Sequence, residues 1–179
     1  WAWERVAALV REGGPAGWQA AEFAFGSPTA PADVAAGAYA AVSFPPGRPV
    51  LTGLPDFMAR IRHEFAFKPG VTTVNTPVSR VLAQRAGVCQ DFTHLILAVL
   101  RALGLPARYV SGYLRTHPPA GQTKRQGADQ SHPWVGGWMG PEHGWVDMDP
   151  TNNLVVRDEH LVLAWGRDYG DISPIRGII

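Results

Sequence analysis

Cys89 is the residue whose chemistry is easiest to define, because it is the single cysteine of this 179-residue chain. A cysteine attacks a carbonyl only as the thiolate, and an ordinary thiol is mostly protonated at neutral pH. A helix N-terminus and a neighbouring imidazolium both favour the thiolate. Cys89 precedes a helical pattern, so the first of these is predicted. A small buried hydrophobic role for Cys89 stays open on the residues alone.

The neighbouring imidazolium must come from a histidine, and His132 is the best placed of the six. It lies where a polar loop meets a predicted strand, and Pro133 excludes helical geometry at the residue before it. Because proline lacks an N–H, we expect this position at an edge or at the first residue of the strand. His94 is expected at a core edge or on a helix surface. The remaining histidines are expected to be solvated: His63, His117, His143 and His160.

An acid is also needed to orient the imidazole in a nucleophile–base–acid set. Asp147 and Asp149 lie on the same face of one predicted strand, since side chains alternate along a strand. Val146 and Met148 then face the core. The alternation cannot choose between the two acids.

The predicted helix that carries Cys89 has its apolar residues at three- and four-residue steps. The stripe consists of Phe92, Leu95, Ile96, Val99, Leu100 and Leu103. Gly104 stands where a left-handed terminating residue belongs, and Pro106 prevents continuation. Asp91 lies in the first turn, where it opposes the thiolate unless its carboxylate caps the helix.

The other elements divide into helices first and strands afterwards. Helices are predicted over residues 3–11, 32–42 and 54–65, with another start at residues 76–77. After the Cys89 helix, apolar residues recur at every second position, which predicts strands over residues 108–114, 134–139, 145–149 and 160–165. A mobile loop is predicted over residues 116–130. This order indicates an α+β fold with an antiparallel sheet.

Composition excludes several classes of function. Apolar residues make up 46% and charged residues 17%, and the net charge is +1. Nothing here favours nucleic acid or a membrane as partner. A single cysteine allows no internal disulfide, which fits a reducing compartment and suggests the cytoplasm. The chain begins at Trp1, so we expect it to be a piece of a longer protein.

Four ordered blocks closely resemble the bacterial transglutaminase-like proteins. The blocks are RAGVCQDFTH at residues 85–94, LGLPARYVSGYL at 103–114, SHPWV at 131–135 and GWVDMDPTNN at 144–153. GRDY at residues 166–169 looks like a further family signature. The succession covers roughly residues 65–170.

The resemblance implies a papain-like α+β core with cysteine at the N-terminus of the central helix and histidine and acid on adjacent strands. By position it assigns the catalytic roles to Cys89, His132 and Asp149, because family members carry the acid immediately before Pro-Thr. The family usually has a small residue where this chain has Pro133. One domain over residues 1–179 is expected, with a helical part over residues 1–64, a catalytic core over 65–170 and a β-rich region upstream.

The expected activity is thiol acyl transfer on peptide or carboxamide bonds, without metal or cofactor. Hydrolysis, as in a cysteine protease or amidase, is favoured over glutamine crosslinking, and a non-catalytic peptide-binding module is the alternative. The partner is a protein or peptide substrate. Candidates for the oxyanion site or the substrate cleft are Gln84, Gln90, Tyr113 and Trp134.

Overall fold

The computed structural model describes residues 1–15, 17–115, 120–121, 123–124, 126, 128 and 130–173. Six α-helices occur in this part of the chain: α1 Trp3–Glu12, α2 Trp18–Ala21, α3 Val34–Ala40, α4 Val50–Glu64, α5 Val78–Gln84 and α6 Cys89–Ala102. Seven strands accompany them: β1 Ala66–Phe67, β2 Ala86–Gly87, β3 Ala107–Leu114, β4 Ser131–Trp138, β5 Trp145–Asp149, β6 Leu154–Val155 and β7 His160–Gly166. Short 3₁₀ turns cover Glu22–Ala24 and Tyr169–Asp171.

The helix α6 is the central element, and every residue from 91 to 101 is buried. Its predicted apolar stripe packs in the main core, and its other faces are covered by helices α3 and α5. Gly104 adopts the left-handed conformation with φ of 74°, and the Leu105 N–H donates to the Leu100 carbonyl. This is a Schellman motif, in which glycine adopts a positive φ without the steric cost that a Cβ would add. The predicted end of the helix is confirmed.

Five strands form one antiparallel sheet in the order β6-β5-β4-β3-β7. The four predicted strands are all present, and β4 begins at Ser131 instead of Trp134. The predicted α+β class is therefore confirmed. The sequence prediction missed β6 and the short parallel pair of β1 with β2, because elements of two residues have no measurable periodicity.

The strand β4 lies inside the sheet and carries Pro133, which we expected at an edge or at the first residue of a strand. Pro133 is the third residue of β4 and pairs with Ser111 of β3. Hydrogen-bonded pairs alternate along this ladder, and the Trp138 N–H donates to Pro106 on the β3 side. The Pro133 nitrogen therefore faces β5, whose pairing with β4 ends at Val135 and Met148. Continued pairing would bring Pro133 opposite Pro150, beyond the end of the β4–β5 ladder, so Pro133 removes no hydrogen bond from that ladder.

The helix α4 begins at Val50, four residues before the predicted start, and runs through Pro55. Val50 and Leu54 are both buried in the core, so burial of the first turn extends the helix beyond the predicted range. Gly53 fits this packing, since an added Cβ would lie 2.7 Å from the Phe44 ring. Tertiary contact thus decides where this helix begins.

A buried guanidinium joins the early segment to the core. Arg101 of α6 donates to the Ser27 hydroxyl at 2.8 Å and to the Ala30 carbonyl at 2.6 Å. The same side chain reaches the Ala107 and Arg167 carbonyls. Burial lowers the pKa of Arg101 to about 10, so it stays charged at neutral pH. In the part of the chain that the structure describes, no helix is long and apolar enough to cross a membrane.

Candidate active site

Cys89 is the first residue of α6 and is partly exposed. The preceding Val88 is extended, and its N–H donates to Asp91 Oδ2 at 2.7 Å. Thr72 donates its hydroxyl to the same oxygen at 2.6 Å. Burial raises the pKa of Asp91, while these two hydrogen bonds oppose the rise. The Asp91 carboxylate is therefore occupied in capping the helix that presents Cys89.

Two residues on adjacent strands form a buried imidazole–carboxylate pair. His132 of β4 and Asp149 of β5 both have no exposed surface. His132 Nε2 lies 2.9 Å from Asp149 Oδ2. Because an ionised carboxylate can only accept, Nε2 carries the hydrogen and Nδ1 is left for the reacting side. This geometry matches the arrangement of a base with its orienting acid.

The thiol and the imidazole influence each other. Burial acts to lower the pKa of His132, but the bond to Asp149 and the nearby Cys89 side chain outweigh it and raise the pKa to about 9. Nδ1 of His132 is buried and has no hydrogen-bond partner of normal geometry among the described residues. A ring with this pKa is protonated on both nitrogens at neutral pH, so Nδ1 stands close to the one cysteine as the N–H of an imidazolium.

The second candidate acid, Asp147, has different partners. Its Oδ1 accepts from Arg108 at 3.1 Å, and its Oδ2 accepts from the Trp134 indole N–H at 3.1 Å. Asp147 and Asp149 lie on one face as predicted, with Met148 in the core. Only Asp149 reaches His132. The geometry therefore separates two acids that alternation left equivalent.

The Asp149 carboxylate is held by several donors. Oδ1 accepts from the backbone N–H groups of Thr151 at 2.9 Å and Asn152 at 3.2 Å. Oδ2 accepts from the Asn152 side-chain amide at 2.7 Å as well as from His132. Burial acts to raise the pKa of Asp149, but the hydrogen bonds from His132, His160 and Asn152 outweigh it and hold the pKa well below its ordinary value. The acid is thus ionised at neutral pH.

Sequence reasoning missed Asn152 and His160 at this site. Asn152 follows Asp149 by three residues in an Asp-Pro-Thr-Asn turn, where side-chain bonding to a nearby Asx residue is common, so turn chemistry could have indicated it. His160 was expected to be solvated, yet its side chain is 1% exposed and its Nε2 lies 3.3 Å from Asp149 Oδ2. No local pattern signals that contact, because it joins β7 to β5.

The four proposed cleft residues lie in different environments. Gln84 donates its amide to the Ala86 carbonyl at 2.8 Å, and Gln90 has a long contact of 3.5 Å to the Val74 carbonyl. Tyr113 is 47% exposed and pairs with Ser131, next to His132. Trp134 is fully buried, which differs from the expected cleft position. Its indole N–H binds Asp147, and its ring packs beside the His132 imidazole.

His94 is a buried histidine outside this site. Its Nε2 accepts from the Tyr169 N–H at 3.3 Å, and its ring packs against Tyr109 at an interplanar angle of 41°. Burial lowers the pKa of His94 to about 4, so it is neutral and structural. Among the described residues, no group of three or more histidine, cysteine, aspartate or glutamate side chains could hold a metal ion.

Comparisons with known proteins agree on one family. The model of the transglutaminase-like superfamily core matches residues 51–150. An uncharacterized protein of Mycobacterium tuberculosis is 47% identical over 144 residues, covering 79% of this chain and 46% of the relative. The chain thus spans about half the length of the curated relatives it matches. A protein-glutamine gamma-glutamyltransferase of Pseudomonas aeruginosa is 35% identical over 130 residues, covering 66% of this chain and 19% of that protein.

Solved structures give the same result. The crystal structure of a cysteine protease candidate from Cytophaga hutchinsonii superposes with a TM-score of 0.71 and 28% identity, over 87% of this chain and 49% of that one. The periplasmic domain of TgpA from Pseudomonas aeruginosa gives a TM-score of 0.51 and 33% identity, over 67% of this chain and 44% of that one. With the family model matching more than half of its residues, the chain belongs to the transglutaminase-like superfamily.

Proposed function

We propose that the chain is a thiol enzyme that transfers acyl groups from peptide or carboxamide bonds, with Cys89 as nucleophile, His132 as base and acid, and Asp149 as the orienting acid. The observation that carries the proposal is the buried His132–Asp149 bond, with the free imidazole nitrogen beside a cysteine at a helix N-terminus. Family membership supports the same chemistry.

In the acylation step, the Cys89 sulfur attacks the carbonyl carbon and the thiol proton resides on His132 Nδ1. The tetrahedral intermediate collapses as Nδ1 returns that proton to the departing amine, which leaves a thioester. Asp149 keeps the hydrogen on Nε2, so that Nδ1 is the atom that exchanges protons.

In the second step, water or a primary amine attacks the thioester carbonyl. Nδ1 accepts the proton of the attacking group, and the Cys89 sulfur leaves and regains a proton. The oxyanion of each tetrahedral intermediate needs two donors, for which we propose the Cys89 backbone N–H and one of Gln84, Gln90 or Tyr113.

Hydrolysis is the acceptor reaction that we favour, and a protein or peptide is the proposed substrate. The similarity to the Cytophaga hutchinsonii cysteine protease candidate covers most of the chain and supports water as acceptor. The similarity to the Pseudomonas aeruginosa gamma-glutamyltransferase supports crosslinking as the second candidate. A cytoplasmic location stays a prediction, since one similar structure is a periplasmic domain.

Iodoacetamide labelling tests the nucleophile, because Cys89 is the single cysteine and the label needs no assignment. At pH 6, where a free thiol is almost wholly protonated, we expect Cys89 to react at least about 10-fold faster than a cysteine peptide. The Cys89→Ala variant serves as the blank. Reaction at the peptide's rate would contradict the proposal and favour a non-catalytic binding module.

A glutamine-containing peptide then distinguishes the acceptors. Wild-type protein is incubated with the peptide, with and without a primary amine, and ammonia release and amine incorporation are measured. Hydrolysis predicts release of ammonia that does not depend on the amine. Incorporation of the amine in place of water would assign crosslinking, and Cys89→Ala must abolish either reaction.

A further inference from the structure

A second imidazole contacts the Asp149 carboxylate. His160 is the first residue of β7, and its side chain is 1% exposed. Its Nε2 lies 3.3 Å from Asp149 Oδ2, the same oxygen that His132 contacts at 2.9 Å. Asp149 thus stands between two buried histidines, of which the acyl-transfer chemistry uses one.

Packing holds the ring of His160 in place. His160 pairs with Leu114 of β3, and its ring stands edge-on to the Trp134 indole at 5.0 Å and 83°. In the sheet, β3 and β4 separate β7 from β5, so the contact to Asp149 joins two strands that are not neighbours. This bond links β7 to the carboxylate that His132 contacts.

The hydrogen position at His160 follows from its partner. The Asp149 carboxylate can only accept, so Nε2 of His160 must donate. Its Nδ1 is buried without a hydrogen-bond partner in the described part of the chain, so the hydrogen on Nε2 is the one that makes a contact. This donor binds the same carboxylate oxygen that His132 contacts.

We propose that His160 is a positioning residue that fixes Asp149 Oδ2 toward His132 and so keeps the His132 imidazole oriented for proton exchange with Cys89. This inference rests on the proposed acyl-transfer function. His160 acts through Asp149, together with the Asn152 amide on the same oxygen.

Charged and titratable groups of the described residues lie on two sides of His160. Asp149 and His132 face it within the site, and Asp158 and Glu159 precede it in the chain. The Arg115 backbone N–H binds the Glu159 carbonyl, which brings the Arg115 chain segment alongside. Both rings contact the Asp149 carboxylate and the uncharged Trp134 indole, so we expect a change in the titration of His132 after substitution of His160 to pass through the carboxylate.

The test compares His160→Leu, which removes the donor, with His160→Gln, whose amide nitrogen occupies roughly the position of Nε2. His143→Leu is the matched control, because His143 lies exposed in a turn outside the site. The pKa of His132 is measured by NMR, and the alkylation rate of Cys89 is measured against pH. Thermal unfolding establishes that each variant is folded.

In His160→Leu we expect the pKa of His132 to fall by roughly 0.5–1 unit from about 9, and alkylation at about pH 9, where this shift changes the imidazolium fraction most, to slow about 2- to 5-fold. We expect His160→Gln to recover at least half of both effects, and His143→Leu to match the wild type. Since the imidazolium supports the reactive form, the alkaline limb of the rate profile should move to lower pH in His160→Leu. Equal values for wild type and His160→Leu would overturn the inference, as would equal losses in the Leu and Gln variants.

The two proposals fail in different ways. If wild-type Cys89 reacts no faster than a free thiol, the proposed function fails, while the NMR titration still decides whether His160 acts on His132. If Cys89 is reactive but His160→Leu leaves the pKa of His132 unchanged, only the positioning role fails. Should the Leu variant not fold, His160→Asn replaces it, because its shorter amide does not reach Oδ2.

Discussion

Asp147 and Asp149 are chemically identical residues on one face of β5, and their partners give them different tasks. Asp147 binds Arg108 and Trp134, whereas Asp149 binds His132 and the turn that follows it. The pair thus offers a built-in comparison, since the same substitution can be made at either carboxylate.

The Asp149→Asn substitution should lower the pKa of His132 from about 9 toward its ordinary 6.5 and reduce peptide turnover by about 100-fold or more. The amide carries no charge and can present its N–H to Nε2, which favours the wrong tautomer. NMR titration of His132 and steady-state turnover are the measurements. Asp147→Asn is the control, and a His132 pKa that drops equally in both variants would contradict the assignment.

The raised pKa of His132 also makes stability depend on pH. A group whose pKa is higher in the folded state contributes stability that is complete below the unfolded value of 6.5 and is lost as the pH rises through about 9. The difference in unfolding free energy between the wild type and Asp149→Asn should therefore shrink over this range.

At the scale of elements, the pairing of β3 with β7 comes close to the candidate site at Gly112. Gly112 pairs with His132 on one side and with Val162 on the other, next to an irregularity in the β3–β7 ladder. An added Cβ would lie 2.0 Å from the Leu161 carbonyl oxygen and 2.5 Å from the Trp134 ring. The Leu161 carbonyl cannot move unless β7 shifts, and the Trp134 ring cannot move without disturbing the packing beside His132.

Gly112→Ala should destabilise the fold by about 1–3 kcal/mol, because overpacking displaces backbone as well as side chains. It should also slow alkylation of Cys89, since Trp134 and the β4 segment at His132 must shift. Urea unfolding and iodoacetamide labelling measure the two effects. Gly14→Ala is the matched control, because nothing lies within 4 Å of its added Cβ. A Gly112→Ala protein of wild-type stability would show that the strands adjust freely.

At the scale of the whole molecule, Arg101 connects the early segment, the central helix and the end of the sheet. Its guanidinium satisfies carbonyl and hydroxyl groups from residues 23–30, from Ala107 and from Arg167. Asp168 stands near this cation and accepts from the Thr29 N–H at 3.0 Å. These buried polar bonds tie chain regions that are more than 60 residues apart.

Arg101→Met should lower the free energy of unfolding by about 3 kcal/mol, because it leaves several buried acceptors and a carboxylate without their partner. Limited proteolysis should then cut first within residues 17–33. Arg62→Met, at an exposed position of α4, is the matched control. Equal stability of the two variants would show that burial alone holds the early segment in place.

The sequence by itself determined the central helix, its end at Gly104, the antiparallel strands and the position of Cys89. These features follow from local periodicity and turn chemistry, which neighbouring residues encode. The resemblance in four blocks gave the family, which the comparisons confirm. The roles of Cys89, His132 and Asp149 stay predictions until the variants are measured.

The resemblance favoured Asp149 over Asp147, and the tertiary structure shows its contact with the imidazole and what else touches that acid. Strand alternation leaves Asp147 and Asp149 equivalent, and their contacts differ because β4 and β3 bring His132 to one and Arg108 to the other. His160 was expected in solvent, and strand pairing across the sheet buries it against Asp149. Contacts of this kind depend on the relative placement of distant strands, which residue type and spacing along the chain do not specify.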